Sequence, residues 1–370
     1  MGGPALPPSR IAVDLLGGDG APQDGGRRVV AAGVTAALRA DPLLEIVLVG
    51  PVEAGRAVVA NAPDIAGRVS VESSDQVVGM GEDPILGVRT KLDATVCVAA
   101  RLVRDGRADA LVTIGSSGAA MAAAVFTLGL LPSLTRAALA VTVPSLAGPV
   151  LLLDVGANVS PTPGALVEHA LCGVAYSRIK LGLAEPRVGL LSIGEEPGKG
   201  DRVRRTAGEL LASLPIRFAG NVEGDDVPRG GLADVVVTDG FTGNVLLKGM
   251  EGTYALLAGV VNGALTGAYE PARDAVRTAL AHLQPDRIAG AILLGVDGVV
   301  LVGHGTSGPD AVAACIGQAS GAVRDAVLPR LRESLAGLTG GAAAAPSPVD
   351  QSRVDPAPVD QPAAGLVAAP

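Results

Sequence analysis

Short runs of aliphatic, β-branched residues recur along the chain, separated by longer segments whose apolar residues fall at helical spacing. The runs predict strands at Ile11–Leu15, Glu45–Val49, Val69–Glu72, Asp109–Ile114, Ala138–Val143, Val150–Val155, Arg187–Ile193, Ile216–Val222, Asp234–Thr238 and Val299–Val302. The segments between them predict helices at Arg27–Arg39, Thr95–Arg104, Ser117–Leu128, Ala165–Leu183, Arg202–Leu214, Thr242–Asn262 and Ala311–Glu333. Strands that are apolar almost throughout need cover on both faces, so the pattern points to an α/β protein with a mostly parallel sheet between helical layers.

The pattern fades at both ends. Residues 1–9 and 336–370 are expected to be unstructured: from Gly340 the chain is rich in Ala and Pro and repeats Pro-Val-Asp-Gln at Pro348 and Pro358, which cannot build a core. One body over residues 10–335 remains. Ala110–Thr135 carries no charge and is long enough on paper to cross a bilayer. The Gly115-Ser116-Ser117-Gly118 turn inside it favours a buried strand, turn and helix, since a span interrupted there leaves backbone groups unpaired.

Composition narrows the function. The chain has 370 residues, 48% of them apolar but only 2% aromatic, so its core must be built from small branched side chains. A net charge of −8 with no aromatic-interleaved basic run argues against nucleic acid. Cys97, Cys172 and Cys315 are far apart and odd in number, which suits a reducing compartment. The N-terminus lacks the basic and apolar regions of a signal peptide, so a cytoplasmic location is expected.

Polar, glycine-rich motifs follow the predicted strands: Gly17-Gly18-Asp19, Gly115 to Gly118, Asp154 to Asn158, Ile193 to Gly200, Gly220 to Gly224, Asp239 to Asn244 and Gly303 to Gly308. Any one could be a plain turn. Together, at the C-terminal ends of parallel strands, they are expected to converge on one crevice whose backbone N–H groups suit a phosphate-sized anion.

Other chemistries lack their parts. Gly194 to Lys199 is one residue short of a P-loop, and Gly200 stands where a magnesium-binding hydroxyl belongs. Gly303-x-Gly305-x-x-Gly308 fits a dinucleotide pattern, but no later strand completes the unit. No cofactor is therefore expected. His169, His282 and His304 show no metal-ligand spacing, so no metal is expected; His169 and His282 read as helix-surface residues. No Gly-x-Ser-x-Gly elbow is present for a serine hydrolase.

Taken in order, Ile11 to Asp14 with Gly17-Gly18-Asp19, Arg89-x-Lys91-x-Asp93, Gly115 to Ala119, Leu153 to Asn158, Gly194-Glu195-Glu196 with Lys199-Gly200, Gly220 to Gly224, Asp239 to Asn244 with Lys248 and Glu251-Gly252, and His304-Gly305 resemble the PlsX family of acyl-[acyl-carrier-protein]:phosphate acyltransferases. The resemblance covers about Ile11 to Leu331. It implies a Rossmann-like three-layer α/β/α fold similar to phosphotransacetylases, a homodimer, and acyl transfer from acyl carrier protein to inorganic phosphate for phospholipid synthesis. The family often has His where Gly20 stands, and Asn-Thr where Ser116-Ser117 stand.

The resemblance also implies roles. Phosphate can attack an activated thioester directly, so the protein need only hold both reactants and stabilise an oxyanion. Lys199 would pair with phosphate, Asn244 would donate to developing charge, and Asp239 would orient neighbouring donors. Gly18, Asp19, Gly115, Ser116, Ser117, Asn158, Gly194, Glu195, Asn221, Gly243, His304 and Gly305 would line the phosphate and acyl site. Two alternatives stay open: a phosphotransacetylase-like enzyme using acyl-coenzyme A, and a non-catalytic relative that binds acyl carrier protein. At Met250–Leu283, where Leu256, Leu257, Val260, Val261 and Leu265 share a helical face, two readings stay open: a dimer-interface or core helix, or a contact giving at most weak, reversible peripheral membrane association close to a downstream acyltransferase.

Overall fold

A computed structural model describes residues 8–18, 25–265, 270–280, 290–303 and 308–342. Strands and helices alternate: β1 (Ser9–Asp14), α1 (Gly25–Ala40), β2 (Leu44–Gly50), α2 (Val52–Asn61), β3 (Val69–Ser73), α3 (Pro84–Thr90), α4 (Thr95–Arg104), β4 (Ala110–Thr113), α5 (Ser117–Leu128), β5 (Ala138–Val143) and β6 (Val150–Leu153). Then come α6 (Pro163–Lys180), β7 (Arg187–Leu191), α7 (Arg202–Ala212), β8 (Arg217–Val222), α8 (Asp226–Arg229), β9 (Val235–Val237), α9 (Gly240–Ala264), α10 (Glu270–Leu280), β10 (Ala291–Leu294), β11 (Val299–Val302), α11 (Pro309–Arg324) and α12 (Val327–Ala342).

The strands form one sheet in the order β3-β2-β1-β4-β11-β10-β5-β6-β9-β7-β8. Successive side chains along a strand point to opposite faces. Thus Ile11 and Val13 join one apolar layer with α1, α6, α11 and α12, while Ala12 joins the other with α4, α5 and α9. Leu151 and Leu153 against Leu152, and Val235 and Val237 against Val236, divide in the same way. This is the Rossmann-like three-layer arrangement that the family resemblance implied, with the sheet covered on both faces as the hydrophobic pattern predicted. The scarcity of aromatic side chains lets layers approach closely. A Cβ on Gly173 of α6 would sit 2.5 Å from Val235, and one on Gly33 of α1 equally near Val312 of α11.

The sheet is not parallel throughout. Strands β3, β2, β1, β4 and β11 run together, and so do β6, β9, β7 and β8. Between them β10 and β5 pair antiparallel with each other and with their outer neighbours. Passing through three antiparallel pairings reverses direction, so the two parallel halves point opposite ways and their C-terminal ends lie on opposite edges. The expected single crevice at one set of strand ends is therefore corrected: the motifs sort into two groups.

Smaller differences have local causes. β10 escaped the strand pattern because only Ala291 to Leu294 separates it from Gly290 and Gly295. The helix expected over Ala311–Glu333 is broken at Ala326, whose φ of 51° no helix accommodates. α12 then runs to Ala342, past the boundary set at Leu335, because Leu335 and Leu338 are buried. At the other end β1 begins at Ser9, whose buried hydroxyl meets that of Ser320 at 2.8 Å. The uncharged stretch beginning at Ala110 is β4, a turn and α5, and no helix among the described residues is long and apolar enough to cross a membrane.

Candidate active site

On the edge formed by β6, β9, β7 and β8, the loops that follow the strands lock together. Asp154, fully buried after β6, organises its loop: Oδ1 accepts from the backbone N–H groups of Leu139, Gly156 and Ala157 at 3.1, 3.0 and 2.8 Å. Its Oδ2 accepts from the backbone N–H and side-chain Nδ2 of Asn158 at 2.7 and 2.9 Å. Asn158 Nδ2 also donates to the Ala137 carbonyl at 2.6 Å, so this amide group holds the loop together.

Helix α9 starts directly on that loop. The Gly240 N–H donates to the Asn158 carbonyl at 2.7 Å, and a Cβ on Gly243 would run into the Asp154 carbonyl oxygen. Gly240 and Gly243 are glycines because backbone meets backbone here. Asp239 caps the helix, Oδ1 accepting from the Thr242 N–H at 2.8 Å and Oδ2 from the Thr242 hydroxyl at 2.7 Å. These bonds consume the N–H groups of Gly240 and Thr242, which the sequence reading had offered to an anion. Asn244 lies exposed further along α9.

Asp239 also forms an ion pair with Arg204 of α7, a residue that belongs to none of the glycine-rich motifs. Burial pushes the Asp239 carboxyl up, but the Thr242 amide and hydroxyl and the Arg204 guanidinium outweigh it and hold the group below the usual carboxylate range. Arg204 Nε donates to the Leu191 carbonyl at the end of β7 at 3.0 Å, and Nη1 to Asp201 at 2.6 Å. Asp201 in turn caps α7 through the Arg204 N–H at 2.8 Å. The Asp201-x-x-Arg204 spacing just after Lys199-Gly200 was the available signal.

Between β7 and α7 lies the loop carrying Gly194, Glu195 and Lys199. Gly194 is buried, whereas Glu195 and Lys199 are exposed. Asn221 on β8 pins this loop, its Nδ2 donating to the Glu196 carbonyl at 3.1 Å. Lys199 has no carboxylate within ion-pair distance among the described residues, and neither has Arg202. On these same loops and the start of α9, the apolar side chains of Val159, Ile193, Phe241 and Val245 are each more than half exposed.

The opposite edge holds the other motifs. Oδ1 of buried Asp14, at the end of β1, accepts from the Leu16 and Gly17 N–H groups at 3.0 Å each. Its Oδ2 accepts from the Thr113 hydroxyl at 2.8 Å. Burial pushes its carboxyl up against those hydrogen bonds. Gly17 touches Gly115, Gly18 has a φ of 120°, and Ser116 caps α5 by accepting from the Ala119 N–H at 3.3 Å. Together with Arg27 and Met80, these residues surround a cavity of about 300 Å³, while Ser117 is exposed on the first turn of α5. Gly18, Gly115, Ser116 and Ser117 thus sit apart from Lys199, Asn244, Asp239, Asn158, Gly194, Glu195, Asn221 and Gly243. Asp19, Gly20, His304 and Gly305 lie outside the described residues, as does His282.

His169 is corrected. It faces the core of α6, 1% exposed, and neither ring nitrogen has a hydrogen-bond partner among the described residues. Burial holds its pKa down, opposed by Asp154 and Glu168. The helix-surface reading failed because the face of α6 is apolar nearly all round, which leaves no polar stripe to mark the outside. No group of His, Cys, Asp and Glu among the described residues has the geometry of a metal site.

Residues 9–330 match the family described as fatty acid synthesis protein. A phosphate acyltransferase of Desulforudis audaxviator is 42% identical over 321 residues, covering 85% of this chain and 92% of that one. One from Desulfitobacterium hafniense is 37% identical over 339 residues, covering 89% and 98%. The chain belongs to the PlsX family. Membership makes it an acyltransferase of lipid biosynthesis. The chain shares its fold with more distant proteins: a phosphotransacetylase of Streptococcus pyogenes superposes with a TM-score of 0.57 at 18% identity, covering 85% of this chain and 94% of that one. A branched-chain phosphotransacylase of Enterococcus faecalis V583 gives 0.52 at 16% identity, covering 88% and 99%. At such identities the likeness is one of fold.

Proposed function

We propose that the protein transfers a fatty-acyl group from acyl carrier protein to inorganic phosphate, releasing an acyl phosphate, and that the chemistry takes place on the β6-β9-β7-β8 edge. The observation that carries this reading is Lys199, an exposed ammonium without a carboxylate partner among the described residues, on a loop pinned by Asn221 and tied through Arg204 to the helix that bears Asn244. Lys199 holds phosphate as a compact charge, with Arg202 nearby in sequence adding attraction. A phosphate oxygen attacks the thioester carbonyl carbon, and the carbonyl oxygen gains negative charge. Asn244 donates to that oxygen. The C–S bond then breaks, and the sulfur leaves on the carrier as a thiolate that takes a proton from water. No enzyme nucleophile is needed, and the three buried cysteines supply none: Cys172 and Cys315 are pushed up to about 12 by burial, and Cys97 is pushed up as well.

The test is a hydroxylamine trap. Hydroxylamine also cleaves thioesters directly, so long-chain acyl carrier protein and orthophosphate should yield hydroxamate above that background only when the protein and phosphate are both present. Acyl-coenzyme A run beside it identifies the donor: preference for the coenzyme overturns the carrier assignment, and binding of the carrier without phosphate-dependent hydroxamate overturns catalysis.

A further inference from the structure

The Lys199 loop and the Asn244 helix belong to different strand–helix units, yet the mechanism above needs them at a fixed separation. Lys199 follows β7 and Asn244 follows β9, adjacent strands in the sheet. Main-chain pairing of β7 with β9 ends at Leu190 and Val237, before either loop begins. Beyond that point, something else must hold the two loops in register.

Arg204 makes that connection. Its side chain, 13% exposed, reaches three places at once. Nε donates to the Leu191 carbonyl, where the Lys199 loop leaves the sheet, and Nη1 to Asp201, immediately after Gly200 where that loop ends. Nη2 meets Asp239, which caps the helix carrying Asn244, and also lies 3.2 Å from the Thr242 hydroxyl and 3.4 Å from that of Thr238. Arg205, on the same helix, closes the loop from its other side by donating to the Gly200 carbonyl at 2.7 Å. Nearby, a Cβ on Gly200, whose φ is +93°, would come within 3.1 Å of Arg204 Cβ and 2.8 Å of the Ser192 hydroxyl, so the loop turns directly over the arginine stem.

Building on the acyl-transfer reading, we infer that Arg204 is a positioning residue: its planar guanidinium fixes the Lys199 loop against the N-terminus of the Asn244 helix and so sets the geometry in which phosphate meets the thioester. It is not a phosphate ligand, because its donors are directed at Leu191, Asp201 and Asp239 and its side chain is largely buried. A lysine cannot replace it fully, since one ammonium lacks the planar fork that serves three diverging acceptors.

The experiment uses the full chain and the hydroxylamine trap, with Arg204→Lys, Arg204→Ala, Lys199→Ala and the double variant Lys199→Ala/Arg204→Ala. Displacement of reacting groups by about 1 Å can cost on the order of a hundredfold in rate, so Arg204→Ala should lower kcat by roughly ten- to a hundredfold. Arg204→Lys should fold with a melting temperature near wild type and recover part of the rate. The pH profile adds a readout that a purely structural loss does not move. Without the guanidinium the buried Asp239 carboxyl rises, so in Arg204→Ala the pH below which activity fails should move up, while in Arg204→Lys it should stay in place. If Arg204 acts through Lys199, removing it from the Lys199→Ala enzyme should cost less than about threefold more, because the two losses are one loss.

Unchanged kcat in both single variants overturns the role. So does a full, additive loss in the double variant that tracks melting temperature with no shift in the pH profile. An active wild type with insensitive Arg204 variants overturns this inference alone, whereas a wild type that forms no phosphate-dependent hydroxamate overturns the acyl-transfer reading and this role with it.

Discussion

Replacing Asp154 with Asn tests how the site's floor is held. The carboxylate is wholly buried and accepts five hydrogen bonds, three on Oδ1 and two on Oδ2. Asparagine keeps one acceptor. With its carbonyl turned to the three backbone N–H groups, its own NH₂ faces the two donors of Asn158, and donor meets donor. A buried donor left without an acceptor costs about 1–3 kcal/mol, and these two are part-buried, so the pair should cost at most about 2–6 kcal/mol. A change of that size should lower the melting temperature by about 3–9 °C in a body of this size. Because α9 rests on this loop through the Gly240 N–H to the Asn158 carbonyl, activity should fall as well. The assay is thermal unfolding of wild type, Asp154→Asn and Asp154→Ala, followed by the hydroxylamine trap well below each melting point. A loss under about 1 kcal/mol in Asp154→Asn refutes the claim that the carboxylate holds the loop.

Lys199→Ala and Asn244→Ala should each lower acyl-phosphate formation by about ten- to a thousandfold with unchanged melting temperatures, since both side chains are exposed; near-wild-type rates in both remove them from the mechanism. His169 is neutral and buried with its pKa held below the free value of 6.5, so the unfolded chain binds the extra proton first as pH falls. Stability should therefore drop as pH goes below about 6.5, and His169→Gln should flatten that slope in melting curves taken at pH 7 and 5. Deleting residues 343–370 should leave melting temperature and activity almost unchanged, whereas a cut after Ser334, which removes the buried Leu335 and Leu338, should lower stability. On α9, Leu256, Leu257 and Val260 are 66%, 51% and 60% exposed, so flotation with anionic liposomes should be weak and should vanish in Leu256→Glu/Val260→Glu; equal flotation of the two proteins sinks the membrane contact.

Much of this molecule was legible because its strands are short, nearly continuous apolar runs while most of its helices show apolar residues at helical spacing. β5 and β11 occupy the residues the pattern predicted, as do α4 and α5. What stayed hidden depends on partners distant in sequence. β10 is too short to announce itself, and only its pairing with β5 and β11 makes it a strand. His169 looked external because α6 gives no sign of which side meets the sheet. Arg204 belongs to no glycine-rich motif, and its importance comes from Asp239, brought to it by the adjacency of β7 and β9.

The direction of the strands matters most for the chemistry. Glycine-rich turns after successive strands point to one site only if those strands run the same way, and here β10 and β5 reverse the sheet between its halves. The turn motifs are therefore necessary but not sufficient to define a shared site. What unites the second group is the set of side-chain ties that cross from loop to loop: Asp154 to Asn158, Asn158 to the start of α9, Asp239 to Arg204, and Asn221 to the Lys199 loop. The first group is tied internally by Asp14 and Thr113, and none of the described hydrogen bonds joins it to the second. A site assigned from motifs alone gives both groups equal weight. The ties distinguish them, because Lys199, the exposed cation that the proposed reaction calls on, sits on the loop that Arg204 ties to α9, whereas the cavity at Asp14 is held by a separate set of bonds.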